Sequence, residues 1–123
     1  MKLEGEGTLL RIFLGESDRS DRTMLYESIV RRAREAGLAG ATVFRGIEGF
    51  GAHSRIHTAK ILRLSEDLPI LVEIVDTEEK IRGFIPAVDA LFQSSRCGGM
   101  MSLEKVDVIR YAPGEPGGGG GRA

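Results

Sequence analysis

The chain has 123 residues, enough for one ordinary domain and too few for two. Its 17 Lys plus Arg against 18 Asp plus Glu give a formal charge of −1, which argues against a nucleic-acid binder relying on a basic surface. The lone cysteine, Cys97, excludes an internal disulfide framework and a cysteine-rich zinc site, and suits a reducing cytoplasm.

The opening residues 1–7 carry Glu4 and Glu6 and no apolar stretch, so no secretory signal is expected. No apolar run approaches the roughly 20 residues of a membrane-spanning helix, so a cytoplasmic chain with no direct membrane insertion is expected. Leu10, Ile12 and Leu14 alternate with Arg11 on the other face, which predicts a half-buried strand over 9–14 ended by Gly15. A polar connection over 17–21 follows, with Asp21 placed to cap a helix. From Arg22 onward the period changes: Leu25, Ile29, Ala33 and Ala36 fall on one helical face. Gly37 and Gly40 are then expected to supply left-handed conformations that stop the helix and turn the chain.

Residues 41–50 predict a second strand, weakened by Gly46 and Gly49. Residues 53–57 read as polar and exposed, and 58–64 as another short extended segment. Ser65-Glu66-Asp67 predicts a turn, after which Pro69 opens the strongest strand signal, Ile70 to Val75. Asp76 and Glu79 stand at capping-box spacing for a second helix with a core stripe of Ile81, Phe84, Ile85, Val88 and Leu91. Pro86 has no N–H to give the carbonyl of Arg82, so a kink or broken ladder is expected there. Residues 94–99 read as a loop and 103–111 as a final strand. One domain over 1–112 is expected, with a Gly-rich tail over 113–123 that buries too little apolar surface to order itself.

The resulting order is strand, helix, strand, strand, helix, strand: an α+β, ferredoxin-like βαββαβ sandwich. Right-handed crossovers place both helices on one face of an antiparallel sheet. Apolar residues on both sides of the strands then imply that copies of the chain cover the other face.

The run Gly49-Phe50-Gly51-Ala52-His53-Ser54-Arg55-Ile56-His57-Thr58, followed by Leu68-Pro69-Ile70-Leu71-Val72-Glu73-Ile74-Val75, resembles the PII signalling proteins. Arg45-Gly46-Ile47-Glu48-Gly49-Phe50-Gly51 with Ser54-Arg55-Ile56-His57-Thr58 is more similar still to a short PII-like family catalogued as a domain of unknown function. The resemblance spans about residues 7 to 112. It implies a homotrimer with an adenine nucleotide (AMP, ADP or ATP) or a similar anionic metabolite bound between subunits. It further implies a regulator that performs no chemistry and docks onto a partner such as a membrane transporter or an enzyme. The ligand-lining positions it implies are Gly49, Gly51, Ala52 and His53 on one side, and Arg96, Gly98, Gly99 and Met100, with Cys97 among them, on the other. The chain departs from PII proteins in its shorter loop, which has no tyrosine to modify, and in having Arg96 rather than a lysine in the phosphate-facing segment.

The residues themselves support parts of this reading. Gly98-Gly99 beside Arg96 offers unhindered N–H groups and one guanidinium to a phosphate, although the same pair also makes an ordinary turn. His53 or Arg55 can meet an anion across the glycine-flanked loop, whose alternative is a solvated hairpin. His53 and His57 have helical metal-ligand spacing, but nothing nearby completes a set, so no metal site is expected. Cys97 lacks a neighbouring base and is read as a packed turn residue, so no catalytic group is assigned. Two other functions compete on the same fold. An acylphosphatase-like hydrolase needs an asparagine to position water, and the sequence contains none. A metal-responsive trimer similar to the divalent-cation tolerance proteins would have to rest on the two histidines.

Overall fold

The computed structural model describes residues 3–51 and 67–114. Among the described residues, eight elements follow one another. β1 (Gly5–Gly15) leads through a small hairpin, β2 (Arg19–Ser20) and β3 (Thr23–Met24), into α1 (Leu25–Glu35). Then come β4 (Thr42–Arg45), β5 (Pro69–Asp76), α2 (Glu78–Ser95) and β6 (Met100–Val108). The four long strands make one sheet in the order β4-β5-β1-β6, antiparallel at every seam. Each helix crosses over one intervening strand, so the expected ferredoxin-like arrangement is what the chain adopts.

Alternation along residues 10–15 of β1 and throughout β5 makes these strands two-faced. Leu10, Ile12 and Leu14 of β1 and Ile70, Val72 and Ile74 of β5 are buried against the helices. From the helix side come Leu25, Ile29 and Ala33 of α1, and Ile81, Phe84, Val88, Leu91 and Phe92 of α2. Each fully buried Leu, Ile, Val or Phe adds about 1.5–3 kcal/mol relative to exposure. Among the described residues, neither helix packs on the opposite face. There the register lines up Phe44, Leu71, Phe13 and Met100 across all four strands, with Phe44 and Met100 exposed and Phe13 and Leu71 half-buried. Beside that apolar row, Arg11 bonds Glu73 at 3.0 Å and Glu104 at 2.8 Å. The Glu73 hydrogen bond holds the guanidinium pKa above its ordinary value, against the opposing effect of desolvation and with Glu104 adding to it.

Several element boundaries differ from the sequence reading. Asp21 does not cap α1; it sits at φ 59° in the turn of the hairpin, and Met24 is the N-cap with no side-chain bond. The helix entry is secured by backbone instead, with Leu25 N–H donating to Asp18 C=O at 2.8 Å. Gly37 takes the left-handed conformation at φ 77°, whereas Gly40 is not among the positive-φ residues. β4 stops at Arg45, because its partner β5 begins at Pro69 and the last contact is Gly46 N–H to Pro69 C=O at 2.7 Å.

Thr77 rather than Asp76 caps α2, accepting from Lys80 N–H at 3.3 Å. Asp76 is fully buried and accepts from Ala39 N–H at 2.9 Å and Thr77 N–H at 2.6 Å, tying the α1–β4 loop to the start of α2. α2 runs through exposed Pro86 as one helix and reaches Ser95, which shortens the expected loop to 96–99 and starts β6 at Met100. The expected extended segment over 58–64 and the residues of the tail from 115 onward lie outside the described residues. Among the described residues, no helix is long and apolar enough to cross a membrane.

Candidate functional site

The end of β1 and the beginnings of β5 and β6 meet at one end of the sheet, because Gly15 pairs with Pro69 and Phe13 with Met100. A cavity of about 250 Å³ opens there. Its walls come from the end of β1 (Phe13, Leu14, Gly15), the turn residue Asp18, the start of β5 (Asp67, Pro69, Ile70), Phe50 and Gly51, and the turn into β6 (Gly98, Gly99, Met100). Two strand ends and two glycine-bearing segments thus surround one space, apolar over most of its wall.

The glycines here are matched to close approach. A Cβ on Gly99 would stand 2.6 and 2.7 Å from two ring carbons of Phe92 and 2.7 Å from the Phe13 carbonyl oxygen. No side chain fits between the turn and β1, so the backbone itself forms the wall. Gly49 sits at φ 151°, a backbone that favours glycine, with Pro69 3.2 Å from where its Cβ would be. The turn after β1 is strapped to the start of β5: Glu16 N–H donates to Leu68 C=O at 2.8 Å and Ser17 N–H to Asp67 Oδ1 at 3.1 Å. Asp18 closes its own turn by accepting from Gly15 N–H at 3.0 Å.

Of the ligand positions named from sequence, Gly51, Gly98, Gly99 and Met100 line this one cavity. Gly49 lies next to it, against Pro69. Arg96 is the left-handed C-cap of α2 at φ 61°, with an exposed side chain that is not part of the described lining. Ala52, His53 and Arg55, and with them His57, lie outside the described residues. Cys97 is half-buried; its Sγ donates to the carbonyls of Arg19 and Ser95, each at 3.7 Å.

Sequence reasoning missed Phe13, Asp18, Asp67 and Pro69 as lining residues. Phe13 reads as one strand residue among several, and the two aspartates as ordinary turn polarity. Only the sheet register, which sets Gly15 opposite Pro69, brings them together.

Residues 7–108 match the model of the family described as DUF190: Uncharacterized ACR, COG1993. The chain belongs to that family. A UPF0166 protein of Aquifex aeolicus is 41% identical over 82% of this chain and 91% of the relative. The UPF0166 protein MJ1524 of Methanocaldococcus jannaschii is 37% identical over 83% of this chain and 91% of that protein. Among solved structures, CPII from Thiomonas intermedia K12, bound to ADP and bicarbonate, superposes with a TM-score of 0.62 at 20% identity, over 89% of this chain and 93% of that one. A putative PII-like signaling protein from Thermus thermophilus gives 0.59 at 16% identity, over 89% and 94%. The fold of this DUF190 chain is therefore PII-like, as the motif around Gly49-Phe50-Gly51 implies.

Proposed function

We propose that this DUF190 protein is a non-catalytic, PII-like regulator that binds an adenine nucleotide in a seam between copies of a homotrimer and signals occupancy to a partner protein. One observation carries the reading: Phe13 and Met100 belong both to the cavity wall and to the apolar row on the sheet face opposite the helices. A copy laid over that row covers Phe44 and Met100, which are 47% and 56% exposed, and roofs the cavity in the same step. The second copy is the occupant argued for because the row is continuous across all four strands and ends at the cavity.

The chemistry of the walls supports a nucleotide. Phe13, Phe50, Pro69, Ile70 and Met100 offer apolar surface to a planar base, and the Gly98–Gly99 backbone offers N–H groups without a Cβ in the way. CPII, of the same fold, has been seen with ADP and AMP. The position of the flanks supports a signalling role. Gly51 and Asp67, on either side of residues 52–66, both line the cavity, so a ligand there contacts both ends of that segment. The partner so regulated is a transporter or an enzyme.

Titration calorimetry of the full chain with AMP, ADP and ATP tests the reading, with analysis of the recovered nucleotide by chromatography. The expected result is saturable heat at up to one site per subunit and nucleotide recovered intact. Heat from none of the three removes the nucleotide from the account, and steady hydrolysis removes its non-catalytic character.

A further inference from the structure

Among the described residues, the cavity lining holds acidic side chains. Its described lining includes no Lys, Arg or His, and its ionisable groups are the two carboxylates Asp18 and Asp67. Both converge on Gly15, whose Cβ, if present, would stand 2.8 Å from Asp67 Oδ1 and 3.4 Å from Asp18 Oδ1. The carboxylate of Asp67 is oriented by the Ser17 N–H on Oδ1, and its Oδ2 meets no donor among the described residues. An ionised carboxylate accepts hydrogen bonds and donates none. A phosphate placed against Asp67 would face a like charge, whereas a hydroxyl or amine would find an oriented acceptor.

The sheet separates the two ends of the site. Asp67 precedes β5 and Gly98–Gly99 precede β6, and β5 and β6 flank β1 on opposite sides. We propose that Asp67 determines specificity for the nucleoside end of the ligand: its carboxylate accepts a hydrogen bond from a neutral donor there, while the phosphates lie toward Gly98 and Gly99. This rests on the nucleotide reading of the cavity. A nucleoside offers two sources of the same donor chemistry, the ribose hydroxyls and the exocyclic amine of the base.

Calorimetry on the full chain and on Asp67→Asn, with three ligands, tests the assignment. The ligands are AMP, 2′,3′-dideoxy-AMP and purine riboside 5′-monophosphate, which lacks the amine. The Asn amide can keep an oxygen on the Ser17 N–H and then turns a donor toward the ligand, so D67N should weaken AMP about 10-fold or more. One of the two analogues should bind the wild type about 10-fold more weakly than AMP and be insensitive to D67N, and its identity names the donor. Unchanged or tighter AMP binding by D67N, as removing a charge beside a phosphate would give, overturns the proposal.

If D67N does not fold, the analogues decide on the wild type alone: both binding as tightly as AMP overturns it, and one binding weakly supports it. AMP affinity should be the same in EDTA as in magnesium; a loss in EDTA would assign the carboxylates to a cation and overturn the proposal. Wild-type protein that binds none of the three ligands while well folded is a different failure, that of the nucleotide reading itself.

Discussion

Gly99→Ala isolates the contact between the β6 turn and β1. The added methyl would meet Phe92 at 2.6 and 2.7 Å and the Phe13 carbonyl at 2.7 Å, all well inside van der Waals separation. Phe92 is 9% exposed and packed in the core, so its ring has little room to retreat, and the carbonyl belongs to the central strand of the sheet. Overpacking of this kind costs about 1–3 kcal/mol. With a urea m-value of about 1–3 kcal/mol/M, the unfolding midpoint should fall by roughly 1 M, read by circular dichroism at fixed protomer concentration. A second change, Phe92→Leu, should recover only part of the loss, because the clash with the backbone oxygen remains. Gly83→Ala is the matched control: nothing lies within 4 Å of its would-be Cβ inside α2, and it should stabilise by about 0.5–1 kcal/mol. A Gly99→Ala midpoint equal to the wild type would refute the close-approach argument for the cavity wall.

Asp76→Ala should destabilise by about 2–4 kcal/mol in the same denaturation assay, since it leaves the buried acceptor's two amide donors, Ala39 and Thr77, without a partner. Glu78 accepts from Arg82 at 2.8 Å, and that hydrogen bond, with the arginine's charge, holds its carboxyl below the ordinary carboxylate value. Its folded pKa being depressed, the small stabilisation is present above the unfolded pKa and lost as pH falls through the folded one. Carboxyl NMR should show Glu78 titrating low and moving up in Arg82→Ala; no movement would detach the shift from Arg82. Leu71→Glu puts a charge in the middle of the open-face row between Phe44 and Phe13, and sedimentation equilibrium should show a folded chain of monomer mass with weakened nucleotide binding. A trimer of wild-type stability in that variant would place the subunit contact elsewhere.

The strands β1 and β5 were legible because they are central, buried on the helix side and paired along their length. The helix stripes were legible for the same reason, with Phe92 added and Ile85 only half-buried. Boundaries that depend on a partner were not. The apolar alternation after Ala41 continues to Phe50, yet β4 ends where β5 stops offering a carbonyl. Asp76 and Thr77 are adjacent and both suited to capping; the choice is made by Ala39, a residue from another part of the chain that occupies Asp76. The glycine pair at 98–99 and Gly51 could be singled out as candidates, and they do line one cavity, because backbone access is written in residue type. The carboxylates opposite them were not, because Asp18 and Asp67 have no local pattern and meet only through the Gly15–Pro69 register.

The seam itself is most directly examined by a crystal structure of the full chain grown with ADP. The expected electron density is a nucleotide between two subunits, its nucleoside toward Phe50, Asp67 and Pro69 and its phosphates on the Gly98–Gly99 amides. A clear trimer with the nucleotide bound elsewhere, or chains packed without covering the Phe44–Met100 row, would contradict the account.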